Sequence, residues 1–199
     1  MKYTLHDQVP LHQGRFTLQE LELSHDRFGG GQLRIKRELF ERGDAVGVLL
    51  YDSAIDTVLL LEQFRIGPVA RGDTPWLIEI VAGIIDDGES AAEAARREAL
   101  EEAGYLPQQL HTLGQRWYPS PGACSERITL FAAEVDSSQP QGKGGGVAEE
   151  AEDIRRRWVP RHEALAMVAD GRINSALPML ALLLAFGCAG SIANDSLRR

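Results

Sequence analysis

Three carboxylates crowd one face of a helix predicted near the middle of the chain. Glu98 and Glu102 are about one helical turn apart, and Glu101 lies between them in projection. Like charges at this spacing repel each other, and the negative end of the helix dipole disfavours anions in the last turn. A bound hard divalent cation reverses both effects, because Mg²⁺ prefers oxygen ligands and excess negative charge. The pattern therefore predicts a metal site.

The helix that carries these carboxylates is predicted to begin at Ser90 and to end before Gly104. Ser90 and Glu93, three residues later, form a capping-box pair, and glycine is common just beyond the end of a helix. The alternative is a solvated acidic face, since Glu93 with Arg97 and Arg97 with Glu101 are ordinary favourable pairs at i, i+4. The helix alone leaves both interpretations open.

The spacing of this segment resembles the Nudix box, the signature of hydrolases that act on nucleoside diphosphates linked to another moiety. The matching positions are Gly83, Glu89, Arg97, Glu98, Glu101, Glu102 and Gly104. Two variable positions that are usually aliphatic in the family hold Ala99 and Tyr105, and the tyrosine is a departure that affects local packing. Agreement at this many positions favours the metal site over the acidic surface.

The resemblance implies that the cofactor is Mg²⁺, with Mn²⁺ as the alternative ion. Glu98 and Glu102 would be direct ligands as well as catalytic residues, and Glu101 would share an ion. The backbone carbonyl of Ala82 would complete one coordination shell, and Glu89 would be a supporting or additional ligand. The paired guanidinium of the box arginine would orient these carboxylates rather than touch the substrate.

A second group of carboxylates follows a glycine-rich segment. Residues 137–147 (SSQPQGKGGGV) are low in complexity and predict a mobile loop. Glu149, Glu150, Glu152 and Asp153 come next, either as a solvated acidic loop or as a lid that brings one glutamate to the attacking water. GVAEEAEDIR resembles the catalytic loop of ADP-ribose pyrophosphatases. That resemblance points to Glu150 as the general base, ahead of Glu149 and Glu152.

Segments outside the box resemble the ADP-ribose branch of the family. Pro121 stands sixteen residues beyond Tyr105, an offset at which a proline marks that branch, and a Ser-Glu-Arg triplet follows it. By the same resemblance, Glu126 would help to hold the terminal ribose or the attacking water.

Further substrate contacts are implied nearer the N-terminus. Arg37 and Arg65 would contact phosphates, a role that suits a guanidinium fork. Either Phe16 or its neighbour Arg15 would stack on adenine. Trp76 could also contact substrate, but we expect it in the core.

The net charge, the cysteine content and the distribution of apolar residues argue against several classes of protein. A net charge of −8 argues against a general nucleic-acid binder. Cys124 and Cys188 form neither a ligand spacing nor a disulfide framework, as expected of reduced thiols in the cytoplasm. Residues 1–13 lack the apolar stretch of a signal peptide, and the apolar residues 176–186 are too few to span a bilayer. We therefore expect a cytoplasmic protein with no nucleic-acid or membrane partner.

The predicted elements indicate an α/β fold of the α+β type, with a mixed sheet between helical layers, because strands and helices occur without βαβ regularity. The predicted strands are 45–51, 57–64, 76–81, 113–118, 128–135 and 154–159, and the predicted helices are 90–104, 162–169 and 175–186. The resemblance implies the Nudix α/β/α sandwich, formed by residues 43–199. The tail from Ser191 is expected to fray.

Residues 1–42 are predicted to be a separate β subdomain. Leu18 and, further along, Leu21 and Leu23 alternate as in half-buried strands, with a slip that indicates a bulge. A turn cluster at 28–31 (FGGG) predicts an antiparallel hairpin. Two strands alone are marginal in water, and the N-terminal strands of the resembled family cross to the partner subunit. We therefore expect a homodimer.

The function implied by the resemblance is Mg²⁺-dependent hydrolysis of the pyrophosphate bond of ADP-ribose, to AMP and ribose 5-phosphate. One alternative is GDP-mannose or another nucleoside diphosphate sugar, which the GGGV run suggests and the SER and AEEAED segments do not. The other is a non-catalytic module that senses ADP-ribose. The intact set of carboxylates argues against a sensor, which has no need to keep them together.

Overall fold

Strands dominate residues 1–187, the part of the chain that this computed structural model describes. The strands are β1 (Tyr3–Gln13), β2 (Thr17–Asp26), β3 (Gln32–Glu41), β4 (Ala45–Asp52), β5 (Thr57–Phe64), β6 (Trp76–Glu79), β7 (Val81–Ile84), β8 (His111–Trp117), β9 (Ile128–Glu134) and β10 (Arg155–Pro160). The helices are α1 (Ile66–Val69), α2 (Ala91–Glu98), α3 (Arg161–Ala169) and α4 (Ala176–Leu182). Ala99–Ala103 and Leu183–Gly187 continue α2 and α4 as π-helical turns.

The chain divides into two compact units. One comprises Met1–Asp44 with Tyr118–Arg127, and the other comprises Ala45–Trp117 with residues 128–187. The inserted segment joins the first unit through main-chain bonds, since the Phe40 N–H donates to the carbonyl of Ala123 at 2.7 Å.

A mixed sheet forms the centre of the second unit. Its strands run in the order β10-β5-β4-β9-β8, with β6 paired to β5 and β7 paired to β4. Only β4 and β9 run parallel among these pairs of described strands. The side chains of β4 alternate between two cores, as the period of a strand requires. Val46, Val48 and Leu50 pack on the α2 side, whereas Leu49 and Tyr51 pack on the side of α3 and α4. The predicted α/β/α sandwich is confirmed.

Helix α2 begins as predicted but ends differently. Ser90 caps it with a complete capping box, its Oγ accepting from the Glu93 N–H and the Glu93 carboxylate accepting from the Ser90 N–H. Gly104 ends the helical segment in the left-handed region at φ 82°. The predicted continuous α-helix is wrong in its last turn, which is π-helical. Its residues, ALEEA, all tolerate an α-helix, so residue type alone does not reveal a π-turn.

The N-terminal unit is a three-stranded antiparallel sheet in the order β1-β2-β3, where the sequence predicted a two-stranded hairpin. Residues 3–13 escaped prediction because they are exposed throughout, and because Asp7 interrupts the alternation of apolar residues along the strand. The predicted bulge in β2 is also wrong, since its register with β3 is unbroken. The shifts lie instead in the pairing of β1, between Leu5 and Asp7 and between Pro10 and His12.

Other expectations concern single residues and the C-terminus. Trp76 is 58% exposed and packs edge-on against Phe64, so its predicted core position is wrong. It lies at the start of the short strand β6, where a large ring is not enclosed. No helix within residues 1–187 combines the length and the apolar character needed to cross a membrane. The tail from Ser191 lies outside the described residues.

Candidate active site

The carboxylate of Glu102 is buried against strand β7. The residue is 1% exposed, and its Oε2 accepts a hydrogen bond of 3.0 Å from the Ala82 N–H. Burial raises the pKa of Glu102 well above its usual range, and the charges of Glu98 and Glu152 raise it further. The π-turn therefore delivers a carboxylate into a position where ionisation is costly unless a cation is present.

The Glu98 side chain lies directly over Gly83, the residue that follows Ala82 in β7. A Cβ at position 83 would overlap the Glu98 carboxylate. Burial raises the pKa of Glu98, although its ion pair with Arg97 opposes the shift. The first glycine of the box is thus required for close approach of a carboxylate to the backbone of β7.

Arg97 holds three of the predicted metal-site carboxylates. Its Nε and Nη2 donate to the two carboxylate oxygens of Glu89, both at 2.9 Å. Its Nη1 donates to Glu98 at 2.7 Å and to Glu101 at 3.3 Å, and Nη2 also donates to the carbonyl of Ile84. The hydrogen bond from Arg97 lowers the pKa of Glu89. This arrangement is the one expected of a guanidinium that orients carboxylates.

The acidic loop contributes a different glutamate from the one that the sequence favours. Glu150 is exposed on a short 3₁₀ turn, whereas Glu152 is partly buried and accepts a hydrogen bond of 3.0 Å from the Val147 N–H. The negative charge of Glu152 contributes to the raised pKa values of both Glu98 and Glu102. The structure therefore places Glu152 within electrostatic range of the helix carboxylates and leaves Glu150, the predicted base, exposed to solvent.

The donor set fits a hard divalent cation. Glu98, Glu102 and Glu152 supply only oxygen atoms, and two of them carry charge that burial disfavours. Within residues 1–187, no three carboxylate, imidazole or thiol side chains already converge at metal-binding distances. Ala82 contributes its N–H to Glu102, and its carbonyl remains a predicted ligand.

Arg65, a predicted phosphate contact, is held in place by a residue that the sequence analysis did not single out. Its Nε and Nη2 donate to the same oxygen of Glu79, at 2.9 and 2.7 Å. Burial alone would lower the pKa of Arg65, but Glu79 together with the charges of Glu102 and Glu152 raises it. Arg65 therefore lies within electrostatic range of the carboxylate group.

A second cluster lies in the N-terminal unit. Phe16 packs edge-on against Phe40, and the guanidinium groups of Arg15 and Arg42 lie 5.7 and 5.6 Å from its ring centre. Arg42 also pairs with Glu126, with its Nε 3.4 Å from Oε1. Burial raises the pKa of Glu126, against the opposing effect of Arg42. Both Phe16 and Glu126 were predicted site residues, and Arg42, which joins them, was missed because nothing in its sequence context marks it.

The two remaining predicted substrate residues are exposed. Arg37 uses Nη1 to donate to the carbonyl of its neighbour Lys36 at 2.7 Å. Pro121 lies inside the turn that closes where the N–H groups of Ala123 and Cys124 donate to the carbonyl of Ser120. Their roles stay predictions.

The chain is similar to known proteins in both sequence and fold. Residues 41–180 match the family described as the NUDIX domain. The chain is 40% identical to an ADP-ribose pyrophosphatase of Escherichia coli (strain K12), over 86% of this chain and 82% of that protein. It is 41% identical to a GDP-mannose pyrophosphatase of Pectobacterium atrosepticum, over 84% and 85%. A crystal structure of an ADP compounds hydrolase superposes with a TM-score of 0.71 at 23% identity, covering 92% of this chain and 91% of that one.

The burial of the Glu102 carboxylate leads to a prediction about the stability of the metal-free protein. Because the pKa of Glu102 is raised by folding, the folded state loses stability as pH rises from the unfolded pKa through the folded one. Glu102→Gln removes this loss and keeps an oxygen to accept from the Ala82 N–H. We expect the variant to be more stable than the parent by on the order of 1 kcal/mol at pH 7.5, with little difference near pH 4.

Urea unfolding in excess chelator at both pH values measures this difference. Glu149→Gln, at an exposed position of the acidic loop, is the matched control and should leave stability unchanged at either pH. A Glu102→Gln protein that is less stable than the parent at pH 7.5 would contradict the argument.

Proposed function

The chain belongs to the Nudix family of pyrophosphohydrolases, and we propose that it uses Mg²⁺ to hydrolyse ADP-ribose to AMP and ribose 5-phosphate. The box match that the sequence predicted is confirmed by the family match over residues 41–180. The observation that carries the proposal is the pair Glu98 and Glu102, two desolvated carboxylates held against one strand. Nudix hydrolases use divalent metal ions, and Mg²⁺ is the proposed ion, with Mn²⁺ as a substitute.

The proposed chemistry is attack of water on a phosphorus atom of the pyrophosphate. When bound, the metal would neutralise phosphate oxygens and acidify the attacking water. Glu98, Glu102 and Glu152 would hold it, and Arg97 would keep Glu89, Glu98 and Glu101 oriented. A glutamate of the acidic loop would accept the proton of the water as general base. Glu150 stays the proposed base, since its exposure leaves it free to turn towards a bound substrate.

Some of the proposed substrate contacts are to the phosphates, and the others are to the ribose or the adenine base. Arg65, aligned by Glu79, would bind a phosphate from the side of the metal carboxylates. Arg37 would bind a second phosphate, and Pro121 would shape the loop beside the substrate. Phe16 would stack on adenine, and Glu126 would bind the terminal ribose or the water.

The choice of ADP-ribose over GDP-mannose rests on two segments of this chain. The Ser-Glu-Arg triplet after Pro121 and the AEEAED run favour ADP-ribose, and the GGGV run favours the alternative. The relatives include pyrophosphatases named for each substrate at similar identity. A sensor without catalysis is a weaker proposal, because the carboxylates and their orienting arginine are all present.

A panel of substrates tests the proposed activity. We expect ADP-ribose to give the highest kcat/KM among ADP-ribose, GDP-mannose, ADP-glucose and UDP-glucose, with Mg²⁺ present and phosphate release coupled to a phosphatase. Excess chelator should abolish the signal. Turnover of GDP-mannose without turnover of ADP-ribose would overturn the substrate assignment, and no turnover of any member would favour the sensor.

Paired substitutions in the acidic loop test the assignment of the base. Glu150→Gln should lower kcat by about 10²-fold or more, the usual contribution of a general base, while the Mg²⁺ concentration for half-maximal rate stays unchanged. Glu152→Gln should instead raise that concentration, because the negative charge of Glu152 acts on Glu98 and Glu102. The exposed neighbour Glu149→Gln is the control. The opposite pattern would make Glu152 the base.

We also propose that residues 1–42 form a subdomain through which the protein dimerises. The protein is proposed to be cytoplasmic and to bind small nucleotide sugars, and not nucleic acid or membrane. One face of the N-terminal sheet supports this, because Leu5, Leu23 and Ile35 lie side by side across its strands. Leu5 is 47% exposed, and apolar rows on a sheet face are commonly covered by a partner.

Sedimentation velocity tests the dimer. We expect a dimer at micromolar concentration, and we expect Leu5→Glu to shift it towards monomer by placing a charge in the apolar row. Thr4→Glu, on the opposite face of the same strand, should leave the dimer intact. A parent protein that sediments only as a monomer would remove the proposal.

A further inference from the structure

The C-terminal end of the helical segment that carries the metal carboxylates is closed by other parts of the chain. The last carbonyls of a helix have no partner within the helix and must find one elsewhere. Here the carbonyls of Glu101 and Glu102 accept from the Gly146 and Gly145 N–H groups, at 3.1 and 2.9 Å. The carbonyl of Gly104 accepts from the N–H groups of Gln141 and Gly142. The glycine-rich segment, predicted as a mobile loop, is therefore bonded along the end of the π-turn.

Arg156 satisfies the carbonyl that remains. Its Nη1 donates to the carbonyl of Ala103 at 2.7 Å, from a residue 53 positions further along the chain. The positive charge of the guanidinium also interacts favourably with the negative end of the helix dipole. Four consecutive carbonyls, from Glu101 to Gly104, are thus all bonded to residues 141–146 or to Arg156.

The same segment is anchored at its far end to the acidic loop. The Val147 N–H donates to the Glu152 carboxylate, and the Ile154 N–H donates to the carbonyl of Gly145. A short run of backbone therefore joins the carbonyls of the two π-turn glutamates to the loop glutamate whose charge acts on Glu98 and Glu102. We call residues 141–146 the strap.

Gly144 and Gly146 of the strap leave no room for side chains. Gly144 has φ +59°, and a Cβ there would lie 2.7 Å from Arg156 Nη1 and 2.8 Å from the carbonyl carbon of Ala103. A Cβ at Gly146 would lie 2.5 Å from that of Glu152. Such close packing of the glycine backbone is expected of a segment held in fixed contact with its neighbours. A flexible linker would not need it.

We infer that the strap and Arg156 position the metal-binding carboxylates, with Arg156 acting as a positioning residue for Glu102 and, through the strap, for Glu152. The inference rests on the proposed function for its link to catalysis. Displacing the strap breaks its hydrogen bonds to the carbonyls of the π-turn. The π-turn, which directs Glu102 towards β7, is then no longer joined to the loop that carries Glu152. The π-turn and the acidic loop then move independently, and affinity for the metal falls.

The test compares Arg156→Gln with the parent in two measurements that need no substrate. In metal-free protein, amide hydrogen exchange in peptides covering 99–104 and 141–146 should become roughly tenfold faster, because these bonds open locally. Binding of Mn²⁺, followed by electron paramagnetic resonance, should weaken by roughly tenfold, the usual effect of losing a group that supports metal ligands. For hydrolysis of ADP-ribose, kcat at fixed subsaturating Mg²⁺ should fall by a similar factor, with KM for the substrate little changed.

Three further variants isolate the role of Arg156. Arg156→Lys should recover part of the loss, since an ammonium can still donate to the Ala103 carbonyl. Arg157→Gln, at an exposed neighbouring position on the other side of β10, should stay within about twofold of the parent in every measurement. Gly144→Ala should reproduce the effect with Arg156 intact, and it decides the matter if circular dichroism shows that Arg156→Gln does not fold.

Unchanged exchange and Mn²⁺ affinity in both folded variants, Arg156→Gln and Gly144→Ala, would overturn the inference whatever their activity. A lower melting temperature with unchanged Mn²⁺ affinity would likewise reduce Arg156 to a structural role and overturn it. If the parent protein hydrolyses no ADP-ribose, the proposed function fails, yet the exchange and Mn²⁺ measurements still decide whether the strap positions the carboxylates.

Discussion

The central constraint in this protein is the placement of negative charge where water cannot solvate it. Glu102 is almost fully enclosed, and Glu98 rests on the backbone of β7. Charges in such positions raise the energy of the folded state unless partners offset them. Three partners act on these carboxylates. The Ala82 N–H and the Arg97 guanidinium offset their charge, and the strap holds the backbone that carries them. The surrounding sheet and helices supply the rigid surfaces on which these partners meet.

Two kinds of partner surround the carboxylates, and they act differently. Arg97 pairs directly with Glu89, Glu98 and Glu101 through the carboxylate oxygens, the same atoms that a cation would need. The strap and Arg156 bond the backbone carbonyls and leave the carboxylate oxygens free. One set therefore balances charge and the other sets geometry. A site that must accept a dication gains from this separation, because exchange of the charged partner need not disturb the backbone.

The parts of the site that the sequence made predictable are those encoded by local spacing. The capping box at Ser90 and Glu93, the glycine after the helix and the clustering of carboxylates all depend on residues within one or two turns. Gly83 was predictable only through the family spacing, since its contact with Glu98 crosses from a strand to a helix. The mixed sheet between helical layers followed from the order of strands and helices, and the sandwich followed from the family resemblance.

What could not be predicted depends on contacts between distant segments. Arg156 reaches the π-turn from β10, and Glu79 reaches Arg65 across paired strands, so neither carries a local signal. The π-turn was hidden because its residues suit an ordinary helix equally well. Strand β1 was hidden for a different reason, because it lies at a sheet edge, is exposed throughout, and has its apolar alternation interrupted by Asp7. The preference for Glu150 over Glu152 could not be weighed without the path of the backbone between them.

The contact between Gly83 and Glu98 has a consequence for how this position tolerates substitution. At most buried sites the harm done by a replacement grows with its size, because neighbours can yield to a small intrusion. Here the first carbon of any side chain already occupies the volume of a carboxylate. Even alanine at position 83 would therefore force the Glu98 carboxylate away from β7, so a mutational scan for activity should record the loss already at the smallest replacement.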